Sequence, residues 1–385
     1  MSQALPLKPF NFTFNSNIAY SNGGIYNSSN DTFYYFYTDI NYTFHIVTID
    51  SNMNTNDTTT EFQTNSSLGH IQVLNAFFDN LNNLYIQFFA LTNFSNDYVL
   101  VQLNSNLTYT GNYLNNVNLS EYVAGYYNNN VWGMYNNAPS GTEYLYILST
   151  NSTLSNSNTQ NQTQLNITNF DGIITQWAGI INNNFMFDLI QVNNEFQLIV
   201  YNMETASFVT YNLTNQELFS TTYIEPDPYI IGVDSSNNIY TYSYYATSST
   251  SPTEQVISKI SNSGAVIYST VMPFSNSSYG IGVGNVYLGS QPLSDGNLLV
   301  TTSNFVAILD IGGNILYFND YSATKGMYIL NGCVFKNGNI FVPVSGDGNV
   351  FALNSMSSAI VNPIQFKTNI LNCYPTINET GETII

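Results

Sequence analysis

Arginine is missing from this sequence altogether, and lysine occurs only at Lys8, Lys259, Lys325, Lys336 and Lys367. With 24 acidic residues the formal net charge is −19, yet charged residues make up only 8%, against about 25% in ordinary globular chains. So few cations exclude a nucleic-acid-binding protein, because that binding depends on basic side chains displacing counterions from phosphates. The same balance disfavours an anionic membrane surface. No run reaches 18 consecutive apolar residues, so no membrane-inserted helix is expected. The stretch Met1 to Phe10 also lacks the apolar segment of a secretory signal.

Cysteine and histidine are scarce as well, with two of each. A structural zinc site wants four such ligands, so no metal or other cofactor is expected. Cys333 and Cys373 are instead expected to form one disulfide. It would close a loop of about 40 residues, worth roughly 4 kcal/mol in the chain-entropy model; two buried thiols are the alternative. Helical periodicity is missing too, which predicts an almost helix-free, all-β chain.

What fills the space is asparagine (60), tyrosine (31) and phenylalanine (25). Amides, hydroxyls and phenols scarcely titrate, and acid denatures proteins largely by protonating paired carboxylates. A surface of this kind points to an acidic exterior, with a neutral extracellular fluid as the alternative.

The organisation is repetitive. An asparagine closes a polar turn and an apolar strand begins at once at Asn83-Leu84, Asn130-Val131, Asn184-Phe185, Asn238-Ile239, Asn297-Leu298 and Asn339-Ile340, and Asp31-Thr32-Phe33 is a weaker upstream copy. A period of about 50 residues holding four short strands is that of a propeller blade. The expectation is therefore a seven-bladed β-propeller of four-stranded blades over residues 19–371. Residues 1–18 form an N-terminal arm, and residues 372–385 a C-terminal tail. Each step should open the second strand of its blade. Phe10–Phe14 alternates well enough to close the ring by covering the outer edge of the last blade. Asp295-Gly296, Gly312-Gly313, Asn337-Gly338 and Asp347-Gly348 mark tight hairpins.

Few residues suggest chemistry. His45 and His70 stand beside no recognisable base or nucleophile and read as solvated or core imidazoles. Asp234 to Asn237 and Gly346 to Asn349 lack the alternating ligand spacing of a calcium loop and read as turns. Glu225 and Asp227 are the only paired carboxylates resembling a glycosidase set, but the intervening proline reads more simply as a stiff connection. Trp177 could line a central channel, and Trp132 should be buried. No catalytic residue is assigned.

Asn-x-Ser/Thr sequons stand at Asn11, Asn27, Asn30, Asn41, Asn56, Asn65, Asn93, Asn106, Asn118, Asn151, Asn161, Asn166, Asn212, Asn276 and Asn378. Their distribution is informative. Residues 1–212 carry 13 where composition alone gives about 8, and residues 213–385 carry two where it gives about 4. One half of the ring is expected to wear glycans and the other to be kept bare for contact with a neighbour.

The tracts Asn52-Met-Asn-Thr-Asn-Asp-Thr-Thr-Thr60, Tyr126-Tyr-Asn-Asn-Asn130 and Tyr240-Thr-Tyr-Ser-Tyr-Tyr-Ala-Thr-Ser-Ser-Thr250, with the missing arginine, resemble the surface proteins of thermoacidophilic archaea and of the viruses that infect them. This is a resemblance of composition and transfers no catalytic residue. The run Asp310-Ile-Gly-Gly-Asn-Ile-Leu-Tyr317 is similar to pyrroloquinoline-quinone-like and kelch-like propellers. Two tryptophans cannot supply one docking tryptophan per blade, however, so that quinone is not expected. The resemblance implies a non-enzymatic structural or attachment protein, glycosylated and exposed on a virion or extracellular assembly. Its partners would be other proteins of that assembly and host-surface glycans. A secreted adhesin or surface-layer module is one alternative; a carbohydrate-active enzyme using Glu225 and Asp227 is another.

Overall fold

The computed structural model describes residues 8–11, 18–62, 70–91, 96–115, 119, 123–137, 144–155, 161–167, 170–174, 179–192, 195–213, 229–245, 254–273, 289–293, 296–302, 305–320, 327–329, 331–346, 349–355, 376–377 and 383–384. They form antiparallel sheets in chain order. Blade 1 is Ile18–Asn27, Thr32–Asp39, Phe44–Asp50 and Thr55–Thr60. Blade 2 is His70–Phe78, Leu84–Leu91, Asn96–Leu103 and Tyr109–Asn115. Blade 3 is Val123–Tyr127, Asn130–Asn137, Tyr144–Asn151 and Asn161–Leu165. In blade 4, Phe170–Ile174 and Ile180–Asn182 both pair with Phe185–Val192, followed by Glu195–Asn202 and Ser207–Asn212. Blade 5 is Tyr229–Val233, Ile239–Tyr245, Glu254–Ile260 and Val266–Val271, and blade 6 is Gly289–Pro292, Leu298–Thr301, Phe305–Leu309 and Ile315–Asp320.

Six blades are thus built from consecutive strands, where seven were expected. The last sheet departs from the rule because it joins both ends of the chain. Met327–Ile329 and Cys333–Val334 pair with Ile340–Gly346, then comes Asn349–Ser355, and Lys8–Asn11 lies antiparallel on its outer side. Of the run expected at Phe10–Phe14, Phe10 and Asn11 lie in this pairing, and residues 12–14 lie outside the described residues. Residues 356–371, which the sequence assigns to the propeller, lie outside the described residues.

First strands of neighbouring blades touch one another, from blade 1 through blade 6 and on to the terminal sheet, while fourth strands lie outermost. Sheets arranged radially in this way make a β-propeller. The core is accordingly divided among the inter-blade seams. Phe36, Phe44, Ile86, Phe88 and Val101 fill the seam between blades 1 and 2. Phe33, Tyr35 and Val47 of blade 1 meet Cys333, Phe335 and Phe341 of the terminal sheet. On the other side of that sheet, Val342 packs with Leu299 and Val306 of blade 6, and Gln291 exchanges hydrogen bonds with the Val334 backbone.

Two of the asparagine steps, at Asn83 and Asn238, and the hairpin before Ile315 share a local cause. In Asp79–Asn83, Asp234–Asn238 and Asp310–Asn314 the first residue accepts two backbone N–H groups on one carboxylate oxygen, from positions three and five of the turn. The closing asparagine then donates its amide to the other oxygen. The fourth position is forced to positive φ, at Asn82 (60°), Asn237 (62°) and Gly313 (83°), which asparagine and glycine tolerate best. All six steps, and the weaker one at Thr32, open the second strand of their sheet.

These turns also latch neighbours. Asn27 and Ser29 of blade 1 donate to Asn82 of blade 2. Asn182 of blade 4 donates to Asp234 O and Asn237 of blade 5. Lys336 N of the terminal sheet donates to Asp31, and Asn337 and Asn339 donate to Ser51 O.

Candidate functional site

The expected disulfide is not found. Cys333 is a free, fully buried thiol, and Cys373 lies outside the described residues. Paired in register with Phe341 and packed beneath Phe33 and Phe335, Cys333 serves as a small apolar filler. Burial pushes its thiol well above the ordinary range, and the nearby Asp31 carboxylate adds to this.

The sequons divide by burial. Asn27 is only 5% exposed. Its side-chain oxygen accepts the backbone N–H of Ser29, and its amide is engaged with Asn82. That asparagine, a glycosylation candidate in the sequence, latches blade 1 to blade 2. Asn30, Asn41, Asn56, Asn106, Asn151, Asn161, Asn166 and Asn212 are exposed. They sit in hairpin turns or along outer strands, where antiparallel topology leaves side chains open to solvent. Asn56 also donates to the hydroxyl of Thr58, the third residue of its own sequon. Asn11 ends the strand on the terminal sheet, while Asn65, Asn93, Asn118, Asn276 and Asn378 lie outside the described residues. Glu225, Asp227, Trp177, Asp347 and Gly348 do so too.

Two buried polar clusters were not anticipated. In blade 1, Tyr37 and His45 are cross-strand partners with rings stacked at 4.3 Å. The Tyr37 hydroxyl donates to Asp57 at 2.7 Å and lies 2.8 Å from His45 Nδ1. His45 Nδ1 is 3.0 Å from Asp57, and Nε2 is 3.5 Å from Asp39. Burial would raise the Asp39 carboxyl, but the N–H groups of Thr43 and Asn41 and the His45 ring hold it below its ordinary range. The carboxylates take opposite ring nitrogens, so the cluster cannot close on one metal ion. It pins three strands.

In blade 5, Lys259 Nζ reaches Asp234 at 3.0 Å and lies 5.1 Å above the Tyr240 ring. Burial would lower this ammonium, and Tyr240 and Asp234 outweigh it to raise it. Asp234 is thereby a turn anchor and ion-pair partner, as the turn reading of that stretch expects. Trp132 is half-buried: its indole N–H donates to Tyr127 O, and it packs by Tyr201.

A groove of about 500 Å³ lies between the outer strand of blade 1 and the last hairpin of blade 2. Thr58, Thr60, Asn106, Thr108 and Thr110 line it with hydroxyls and amides, beside Tyr109 and a single carboxylate, Glu61. Thr60 donates to Leu107 O across it. Hydroxyls around one aromatic ring suit a neutral hydroxylated ligand.

No family model matches the chain, and no curated protein does so. Among solved structures, the β-propeller domain of Nup133 from Vanderwaltozyma polyspora aligns over 92% of this chain and 99% of its own, at 13% identity and a TM-score of 0.51. The fold is that of a β-propeller. Two further propeller-length matches are looser. Catalytically inactive virginiamycin B lyase from Staphylococcus aureus with quinupristin has 12% identity, coverage of 91% and 99%, and a TM-score of 0.48. The Dos1 propeller has 9% identity, coverage of 87% and 77%, and a TM-score of 0.41. At these identities the likeness extends to the architecture of the chain alone.

Proposed function

We propose that this β-propeller is a non-enzymatic structural or attachment protein, glycosylated and displayed on a virion or another extracellular assembly. The observation that carries the reading is the segregation of sequons, 13 in residues 1–212 against two in residues 213–385; among the described residues, the eight exposed sequon asparagines lie between Asn30 and Asn212, on blades 1 to 4. The surface chemistry agrees with it. The three ion pairs among the described residues draw on His45 and Lys259 alone, and both are buried, so the exterior depends little on paired charges.

In the same reading the ring has seven blades and is closed by the N-terminal strand. Support comes from the register of Lys8–Asn11 on Asn349–Ser355. The terminal sheet is also anchored on both sides, to blade 6 through Gln291 and to blade 1 through Asp31 and Ser51. Closure of this kind secures a propeller against opening between its first and last blades. Purifying native particles or cell envelopes and identifying the chain there by mass spectrometry, with its glycans, tests the proposal. Recovery only as a soluble, unmodified intracellular protein would overturn it.

A further inference from the structure

The outer strands of blades 1 and 3 differ from those of blades 4 and 5. In blades 1 and 3 they read Thr-Asn-Asp-Thr-Thr-Thr and Asn-Gln-Thr-Gln-Leu, and their exposed positions are polar. In blades 4 and 5 they read Ser-Phe-Val-Thr-Tyr-Asn and Val-Ile-Tyr-Ser-Thr-Val, with no charge, proline or glycine. Exposed aliphatic side chains stand along this side: Val209 is 51% exposed, Ile267 51%, Val271 47% and, on blade 6, Leu316 46%. Proteins usually blunt such edges with lysine, proline or inward charge, because an edge strand presents unpaired N–H and C=O groups to any passing strand. Among the described residues the blade 5 edge has none of these protections. Its seam with blade 6 is tight, since Thr270 donates to Gly313 O at 2.6 Å, so this rim is a fixed surface.

We infer that the outer strand of blade 5 pairs antiparallel with the same strand of a second copy of this chain. The strand is self-complementary. A two-fold axis at Ser269 sets Ile267 of each copy opposite Val271 of the other, on the face where both are exposed, and sets Tyr268 opposite Thr270. Cross-strand pairs of this sort are the unit of sheet stabilisation, and an isologous contact of one patch with itself is the geometry of a two-fold dimer. Charge favours the site as well. Each copy carries −19 overall, so two copies repel wherever acids meet, and an uncharged strand is where they can approach. The inference rests on the proposed role in an assembly and names the contact.

Sedimentation of the full chain over a concentration series reads the result. The wild type should pass from monomer to dimer, and Ile267→Lys should weaken dimerisation at least tenfold without lowering Tm, because the side chain is exposed. Thr59→Lys on the outer strand of blade 1 should leave it unchanged. Ser269→Cys should cross-link two copies under mild oxidation, and Thr59→Cys should not. A chain monomeric at every concentration, a dimer indifferent to Ile267→Lys, or cross-linking no faster at position 269 than at 59 would overturn the pairing. A glycosylated monomer on native particles would overturn it while the proposed function stands. A blade 5 dimer found only in unmodified intracellular protein would support the pairing and sink that function.

Discussion

Replacing Asp188 with asparagine should abolish most of this protein's loss of stability between acid and neutral pH. Asp188 lies in the second strand of blade 4, opposite Ile199, and is fully buried. Alternation along the strand sets it between Met186 and Ile190, on the face packed against Met134 and Ile147 of blade 3. One carboxyl oxygen accepts the Leu189 N–H at 2.8 Å, and the other has no hydrogen-bond partner. Burial pushes its pKa up to about 8, against 3.8 for the free side chain, and the Leu189 bond offsets only part of this. The folded state therefore holds a proton that the unfolded state releases above pH 4. Stability from this group is full below the unfolded value and declines as pH rises towards the folded value. Three pH units at about 1.4 kcal/mol each make the loss roughly 4 kcal/mol between pH 4 and 7. For a chain of this length melting as one unit, that is about 5 °C in Tm. Thermal melts of both proteins from pH 3 to 8 measure it. The wild type should lose that stability while Asp188→Asn stays flat over the same interval. Parallel pH profiles would refute the assignment of a buried, protonated carboxyl.

Other perturbations probe the turns and the ion pair. Gly313 has φ +83°, and an added Cβ would stand 2.5 Å from the Tyr268 ring; Gly338 has φ +85° and open space around it. Gly338→Ala should cost about 1 kcal/mol for the backbone alone, and Gly313→Ala clearly more in denaturant titrations; equal costs would remove the packing argument at the blade 5–6 seam. Lys259→Met should destabilise by about 3 kcal/mol at pH 7, as expected when a buried pair loses one partner. Burial would raise Asp234, but Asn238 and Lys259 hold it below its ordinary range. Its contribution is thus present above the unfolded carboxylate value and lost as pH falls through the lowered one, so the penalty should shrink at pH 2. Cys333 should resist alkylation in the native protein and react once it is denatured, as followed by mass; rapid native labelling would contradict its burial.

Strand positions were legible wherever a strand has a buried face. The second and third strands carry near-continuous apolar runs, such as Leu84–Leu91 and Leu298–Thr301, because both faces pack against neighbouring blades. Outer strands were harder. Thr55–Thr60 and Asn161–Leu165 are so polar that they read as turn or linker, since little of either is buried. The asparagine steps at Asn83 and Asn238 were legible because adjacent asparagines divide two tasks: the closing one donates to the turn's aspartate, and the one before it tolerates positive φ. The buried clusters were not. Tyr37, His45, Asp57 and Asp39 spread over three strands, and only the register brings them together. The disulfide expectation failed because cysteine count alone does not distinguish a bridge from a core filler. Nothing in the residues flanking Asp188 in the sequence marks its isolation.

Site-resolved glycopeptide mass spectrometry of the protein from its native source tests the central claim most directly. Asn30, Asn41, Asn56, Asn106, Asn151, Asn161, Asn166 and Asn212 should carry glycans, with Asn27 unmodified and residues 213–385 nearly bare. A chain without glycans, or one modified as densely after residue 212 as before it, would contradict the account.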